Sequence, residues 1–435
     1  MQNPIISTLL VIAVAALPSA ARADLPELSL ALPYSSSVSN AGPGFKLGST
    51  PLVLHTGVAT EVGYDSNVLY DPVPVAGAVM RLRAHAALET VSYRAPDGET
   101  ESVPPVVAFR LGAQVEYREY LTASSQLQAS RNFNVLADTS ATLYPRGRIS
   151  LTLSDAYART SDPVNVENTH NVVRDLNRFG VVGRWRANGG SLELSLGDIV
   201  HVSYMGENAH YAFASSYGTE AQAIARWWIL PQTSVALSVR AGYYRYPDNP
   251  SQDSAPVRVL AGGSTLLTSW LGASASVGYG NSFNQQGPSY NNAIGSAEID
   301  FYLPWAAKLL ARYEREFSPS VFANFYRDDQ FAVAYKQPLV AHLSATLAGA
   351  IYLRTFEGLI SPALINAVSY SSTTHTGPIY EARAEINVQP IRWLSCGAAY
   401  TVQADTTDFV FHYASFSTAD RYLKHSVFGR IDVAY

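Results

Sequence analysis

The feature that most restricts the fold of this chain is a period-two alternation of apolar and polar residues, clearest in residues 428–435. Ile431, Val433 and Tyr435 fall on one face of an extended segment, and Arg430 and Asp432 fall on the other. A single edge strand of a soluble sheet can look the same. An apolar face toward lipid and a charged face toward a wet lumen is typical of a transmembrane β-barrel strand. We therefore predict that Ile431, Val433 and Tyr435 form the insertion signal of a closing strand.

The first 50 residues predict export. Residues 5–17 form an apolar run shorter than the ~18 residues that a spanning helix needs. Ala21-Arg22-Ala23 follows as an A-x-A cleavage site, although residues 1–4 lack the usual Lys or Arg. We expect residues 1–23 to be a cleaved signal peptide and the Pro-, Ser- and Gly-rich residues 24–50 to be a periplasmic lead-in. Residues 51–435 are then the barrel, in the outer membrane of a Gram-negative cell.

Composition restricts the fold class further. Hydrophobic residues make up 47% of the chain, yet the mean hydropathy is +0.01 and no second apolar run is long enough for a transmembrane helix. A membrane protein without such a helix must be a closed barrel, because lipid cannot satisfy the backbone groups of an open sheet. Cys396 is the only cysteine, so no intramolecular disulfide forms. A net charge of −5 without a basic block argues against a nucleic-acid partner.

Alternating segments separated by turn residues recur through the mature chain. The predicted fold is an all-β, antiparallel, up-and-down barrel of about 18 strands. The predicted strands are 53–66, 77–93, 106–121, 129–143, 147–160, 174–187, 191–205, 212–229, 233–246, 256–266, 269–282, 292–304, 306–317, 322–336, 340–355, 377–389, 391–404 and 422–435.

The predicted connections are asymmetric. Tight turns rich in Pro, Gly and Asn follow most even-numbered strands, as at Pro145, Gly189-Gly190 and Pro231. Longer polar connections follow odd-numbered strands, notably 161–173, 356–376 and 405–421. The connection 94–105 is an exception on the turn side, and those after strands 7 and 13 are short. Short turns at one end and long loops at the other are typical of outer-membrane barrels with both termini in the periplasm.

The six tryptophans lie within a few residues of predicted periplasmic turns. Interfacial indoles are typical of the rims of membrane barrels, whereas chance placement in a soluble core would scatter them. The predicted periplasmic aromatic girdle consists of Trp185, Trp227, Trp228, Trp270, Trp305 and Trp393.

Strand parity separates candidate lumen residues from candidate lipid contacts. An Arg or Lys on the lipid face at mid-depth costs ~2–4 kcal/mol, so charged residues that alternate with apolar ones are expected to face inward. The two signs are nearly balanced, which argues against a strongly ion-selective pore. A structural ion pair between neighbouring strands explains each such charge at least as well as a substrate contact. The predicted pore-lining residues are Arg81, Arg83, Glu89, Arg110, Glu116, Arg118, Arg184, Glu220, Arg226, Arg240, Glu298, Asp300, Arg312, Glu314, Glu381, Arg383, Glu385, Arg430 and Asp432.

Catalytic motifs are missing from the sequence. It has neither Gly-x-Ser-x-Gly nor His-Glu-x-x-His, and its nine histidines are scattered. We therefore expect no enzymatic activity, no cofactor and no metal site.

One stretch resembles a known family. Residues 57–70 read GVATEVGYDSNVLY, in which Gly63, Tyr64, Asp65, Asn67, Val68 and Tyr70 match the opening of the β-barrel porin 2 family. The turn at residues 144–148 and the closing strand are similar as well. The resemblance implies an outer-membrane barrel associated with exopolysaccharide synthesis and export, and it offers no functional residues to transfer.

The function expected from these observations is an outer-membrane porin or channel that serves as the exit pore for a secreted polysaccharide. The alternatives are a general diffusion porin and a non-conducting barrel that anchors or displays its loops. Expected partners are outer-membrane lipid and lipopolysaccharide, the barrel-assembly machinery through the C-terminal strand, and a periplasmic polysaccharide-export protein.

Overall fold

The computed structural model describes residues 44–90, 106–161, 172–205, 211–340, 342–359 and 367–435. The predicted signal peptide 1–23 and most of the lead-in lie outside these residues. So do the connection 94–105 and most of 161–173.

Eighteen long strands form the fold and are numbered β1 to β18 here. They are β1 Leu52–Asp65, β2 Gly77–Thr90, β3 Val107–Leu121, β4 Asn132–Leu143, β5 Ile149–Thr160, β6 Arg174–Arg186, β7 Leu192–Tyr204, β8 Ser216–Leu230, β9 Thr233–Arg245, β10 Val257–Thr268, β11 Leu271–Asn281, β12 Asn291–Tyr302, β13 Lys308–Ser318, β14 Ala323–Val340, β15 Leu343–Leu359, β16 Thr374–Ile391, β17 Leu394–Asp405 and β18 Tyr422–Ala434.

Every strand pairs with its neighbours in sequence in the antiparallel sense, and β18 pairs back onto β1. The closing register runs from Gly57 opposite Ala434 to Asp65 opposite Ser426. Thr56 and Tyr435 extend it by exchanging two backbone hydrogen bonds of 2.8 Å. Closure leaves no unpaired edge between β1 and β18, which is the condition for a sheet to span lipid. The predicted fold class, an 18-stranded closed antiparallel barrel, is confirmed.

Two predicted turns lie inside strands. The sequence placed turns at Pro338 and Pro390, but β14 continues to Val340 and β16 to Ile391, so the chain reverses only after these residues. The strand register shifts beside both prolines. Proline has no N–H to donate to the ladder, so it marks an irregular strand end here without ending the strand.

The two ends of the barrel differ. The turn end carries short reversals and both termini of the sheet, and a short strand, Phe45–Lys46, pairs there with β1. The loop end carries the longer connections, which include a helix at Ser125–Ala129, a 3-10 turn at Ala212–Ala214 and a small three-stranded sheet. The prediction that strand 4 begins at 129 and strand 8 at 212 was wrong, because these segments are helical or irregular. In the part of the chain that the structure describes, no helix is long and apolar enough to span a membrane.

Candidate channel lumen and constriction

The outer face of the barrel is apolar. Val58, Leu111, Leu196 and Val277 each expose between 47% and 68% of their surface, although they lie on central strands. In water this belt would be a very large exposed apolar patch. It fits a hydrocarbon environment, and it puts the charged alternate residues on the inner face.

Aromatic side chains border this belt at both rims. Trp185, Trp227, Trp270, Trp305 and Trp393 lie at the turn end and expose 38–56% of their surface. Exposed tyrosines mark the loop end of the same face, at Tyr64, Tyr204, Tyr217, Tyr243, Tyr279, Tyr380 and Tyr400. Amphipathic rings prefer the two membrane–water interfaces, so the tyrosines form a second girdle that the sequence analysis missed. The signal was present, because these tyrosines lie toward the loop end of their strands.

Trp228 differs from the other tryptophans. It has the parity of Gln222 and Arg226, and the Arg226 guanidinium lies 5.8 Å from the centre of its ring. It therefore belongs to the inner face at the turn end rather than to the lipid-facing girdle.

The predicted lumen charges on β2 and β3 form a continuous ion-pair chain. Arg83 bridges Glu61 at 2.7 Å and Glu116 at 2.6 Å, and Arg118 binds the second oxygen of Glu116 at 3.0 Å. Arg81 also reaches Glu61, at 3.3 Å. Structural ion pairs between neighbouring strands therefore explain the charges on these strands, as the sequence analysis allowed.

Other predicted lumen residues are paired in the same way. Toward the turn end Arg110 contacts Glu89 and Asp138, while Arg184 contacts Glu193. On later strands the contacts are Arg312 with Glu298 and Glu314, Lys308 with Asp300, and Glu385 with Arg383 and Arg430. Glu220 lies 3.8 Å from Arg258, next to Arg240, and Asp432 is buried beside His85. Glu381 lines a cavity described below.

Sequence analysis missed several members of this network. Arg258 is 10% exposed and joins Glu316 on β13 to Glu220 on β8, and Arg354 binds Asp328 on the adjacent strand at 2.6 Å. The strand parity of both arginines would have assigned them to the inner face. The contact of Arg258 with Glu316, three strands away, cannot be predicted from the local sequence pattern.

The connection between β1 and β2, residues 66–76, folds into the barrel. Val68 and Leu69 pack in one apolar cluster with Val79, Tyr120 and Phe428. Those three residues have the parity of Arg81, Arg118 and Arg430, so they belong to the inner wall. Leu127 of the short helix completes the cluster. We call residues 66–76 the constriction loop, because they narrow the lumen near the loop end.

The family-like stretch builds this constriction loop. Asn67 is fully buried, donates to Asp71 O at 2.7 Å and Leu423 O at 3.3 Å, and accepts from Asp71 N at 3.0 Å. Asp65 accepts from Asn67 N and forms an ion pair with Lys424 at 2.8 Å. The loop is therefore fastened to β18 by buried polar contacts.

Two residues of the stretch have steric roles. At Gly63 a Cβ would lie 2.1 Å from Val427 O and 2.4 Å from the Phe428 ring, so only glycine allows the close packing of β1 on β18. Tyr70 has a φ of +55°, which is unusual for a tyrosine, and Lys424 lies 3.8 Å from the centre of its ring.

Loops from opposite sides meet over the loop end. Val172, Met205, Phe213 and Val321 form a buried apolar cluster that joins the connections after β5, β7 and β13. Burial, with Tyr413 and Asp420 of the last connection nearby, raises the pKa of the Tyr211 phenol to about 12. The connections after β7 and β17 therefore also approach each other, although ten strands separate them in order. The mouth at this end is bridged by protein.

Two parts of the inner surface differ in the side chains that they carry. The charged wall, on β1–β3 and β16–β18, carries the ion-pair chain and the constriction loop. The serine wall, on β9–β12, carries small hydroxyl side chains that pair across strands, Ser234 with Ser264 and Ser276 with Ser296, each at 3.0 Å. The charged side chains of Arg240, Arg258, Glu298 and Asp300 lie on the same strands.

Within the described ranges, no group of three or more His, Cys, Asp or Glu side chains is arranged to hold a metal ion. Cys396 is a free, half-buried thiol on β17.

Comparisons with known proteins give low similarity. No family model and no curated protein matches the sequence, so the resemblance to the β-barrel porin 2 family stays a prediction. The structure is similar to the outer membrane protein OpdK of Pseudomonas aeruginosa at 10% identity, covering 88% of this chain and 99% of that one, with a TM-score of 0.48. It is also similar to OccK2 (OpdF) of the same organism, crystallised with glucuronate, at 9% identity, 88% and 98% coverage and a TM-score of 0.48. A bacterial polysaccharide outer membrane secretin matches at 10% identity, 88% and 98% coverage and a TM-score of 0.37. The assignment of the barrel rests on the strand pairing of this chain itself.

Proposed function

We propose that this protein is an outer-membrane channel. The observation that carries the proposal is a closed barrel of eighteen strands with an apolar outer belt, two aromatic girdles and a charged, polar inner surface. Barrels of 16–18 strands leave an aqueous channel, and charged residues line it at little cost because they meet water. A soluble protein has no use for a belt of exposed Val, Leu and Ile on central strands.

The proposal includes the route to the membrane. Residues 1–23 direct export and are cleaved off after Ala23, and the alternating face of Ile431, Val433 and Tyr435 presents the C-terminal strand to the barrel-assembly machinery. Lipid and lipopolysaccharide then cover the outer belt. Fractionation of cells and sequencing of the mature N-terminus test this part, and an intact Met1 in the purified membrane protein contradicts it.

The more specific proposal is an exit channel for a secreted polysaccharide, fed by a periplasmic export protein. It is supported by the family-like stretch, now seen to build the constriction loop, and by a lumen whose charges largely neutralise one another. A chain of hydroxyl-rich units passes such a surface through many weak contacts, whereas an ion-selective pore needs a lining of one sign.

Two measurements test the proposal together. Purified barrel in a planar bilayer is expected to give single-channel conductance, and a strain lacking the protein is expected to accumulate polymer in the periplasm. Complementation with the full chain restores surface polymer, and complementation with a chain lacking residues 428–435 does not. Conductance with unchanged surface polysaccharide assigns a general diffusion porin instead. Absence of conductance from folded barrels assigns an anchor that displays its loops.

A further inference from the structure

A cavity of about 270 Å³ opens in the charged wall below the constriction loop. It lies between the inner faces of β1–β3 and β16–β18, and Val68 and Tyr70 of the loop close it on one side. Pockets for drug-sized ligands are larger, ~300–1,000 Å³. The cavity therefore has room for one small solute or one unit of a chain.

The lining is rich in charge. Four cations and three carboxylates border the cavity; they are Arg81, Arg118, Arg383 and Lys424, and Glu61, Asp65 and Glu381. Two of the cations are paired with carboxylates outside the lining, Arg118 with Glu116 and Arg383 with Glu385. Asp65 and Glu61 are engaged by Lys424 and by two arginines. Asp65 and Glu61 are thus neutralised by the wall itself, and an anionic group in the cavity would meet the guanidinium groups of the lining.

Two arginines are placed to receive that group. The side chain of Arg383 is 48% exposed, and the carboxylate that it contacts, Glu385, does not line the cavity. The Nε of Arg81 is buried and has no hydrogen-bond partner among the described residues, while its guanidinium lies 4.4 Å from the centre of the Phe428 ring. A guanidinium matches a carboxylate in a planar, two-point hydrogen bond.

The rest of the lining suits hydroxyl groups. Thr401, Gln403 and Ser426 lie on β17 and β18 beside these arginines and offer neutral donors and acceptors. Resting on the proposed channel function, we propose that this cavity is a binding site for one hydroxylated carboxylic acid of monosaccharide size, a sugar acid, either free or as a unit of a polymer.

Blockade of single-channel current tests the site. Glucuronate added to the bilayer chamber is expected to interrupt the current with a resolvable dwell time. Glucose, which lacks the carboxylate, and acetate, which lacks the hydroxyls, are expected to produce blocks at least roughly tenfold weaker, the factor that one charge-assisted hydrogen bond supplies. Equal blockade by glucuronate, glucose and acetate overturns the proposal.

Variants locate the site. Arg383→Gln is expected to weaken glucuronate blockade by about tenfold and to leave glucose blockade unchanged. Arg245→Gln removes the same charge from a side chain that is 54% exposed at the loop end of β9, and it is expected to leave both unchanged. If Arg383→Gln leaves glucuronate blockade at the wild-type level, the site is wrong. Absence of conductance in the wild-type barrel refutes the channel function itself. Normal conductance without a preference for glucuronate refutes only this site.

Discussion

The charged wall and the serine wall have the same outer surface and different inner ones. On the outside, Leu111 of the charged wall and Leu237 of the serine wall are exposed to nearly the same extent, 47% and 49%. Inside, Arg83 lies between two glutamates on one wall, whereas Ser276 faces Ser296 on the other. Lipid imposes one composition on every outward position. The lumen imposes only polarity, so the inner positions are free to differ in bulk and charge.

The charged wall also contains the seam of the barrel, and breaking it has the largest expected effect. Deletion of residues 428–435 removes most of the pairing of β18 with β1 and half of its pairing with β17. The unpaired backbone groups cannot be satisfied in lipid, so we expect no assembled barrel. Electrophoresis of unheated samples, in which folded barrels migrate differently from unfolded chains, measures this. Assembly at the wild-type level contradicts the closure described above.

The common outer surface predicts equal costs on the two walls. Leu111→Arg and Leu237→Arg each place a cation in the apolar belt and are expected to destabilise the barrel by ~2–4 kcal/mol near mid-depth. Arg110→Gln, the inward neighbour of Leu111, is expected to be tolerated because it removes only a half-exposed ion pair. Unfolding in urea from lipid vesicles gives these free energies. A large cost for Arg110→Gln would mean that the parity of β3 is inverted.

Releasing the constriction loop from β18 tests whether this loop narrows the lumen beside the charged wall. Asn67→Ala removes three buried hydrogen bonds to Asp71 and Leu423, and we expect it to destabilise the loop by ~1–3 kcal/mol. The open channel is expected to conduct more and to fluctuate more. Asn284→Ala is the matched control, because Asn284 holds an exposed loop between β11 and β12. Equal noise in both variants would show that the loop does not limit the current.

Filling the serine wall is expected to leave assembly intact and to change conductance alone. Ser276→Trp adds a ring of ~200 Å² to this inner wall, so the current is expected to fall. Ser276→Thr keeps the hydroxyl with little added bulk and serves as the control. An unchanged current in Ser276→Trp places the conducting path elsewhere.

Period-two alternation was enough to predict the strands, because each outward position must be apolar. It also fixed the parity of Arg81, Arg110 and Arg430. Turn chemistry was less reliable at Pro338 and Pro390, since proline interrupts a ladder without reversing the chain. The helix at Ser125–Ala129 is too short to show a helical repeat of apolar residues, so the sequence did not predict it.

The candidate site could not be predicted from the sequence, for a different reason. The cavity joins Glu61 on β1 to Arg383 on β16, and neither local pattern nor spacing brings such residues together. The Asp65–Asn67 stretch was recognised as a motif, but its inward fold depends on Phe428 and Lys424 of the last strand. Only the register of closure relates these positions.

That register has a kinetic consequence. Asn67 donates to Leu423 O across 356 residues of sequence, and His425 N donates to Ser66 Oγ across 359. Contacts of such separation form late, after the chain between them has been ordered. Until β18 pairs with β1, residues 65–76 lack the contacts with Leu423, Lys424 and Phe428. Narrowing of the lumen by the constriction loop is therefore expected to be a late step of assembly.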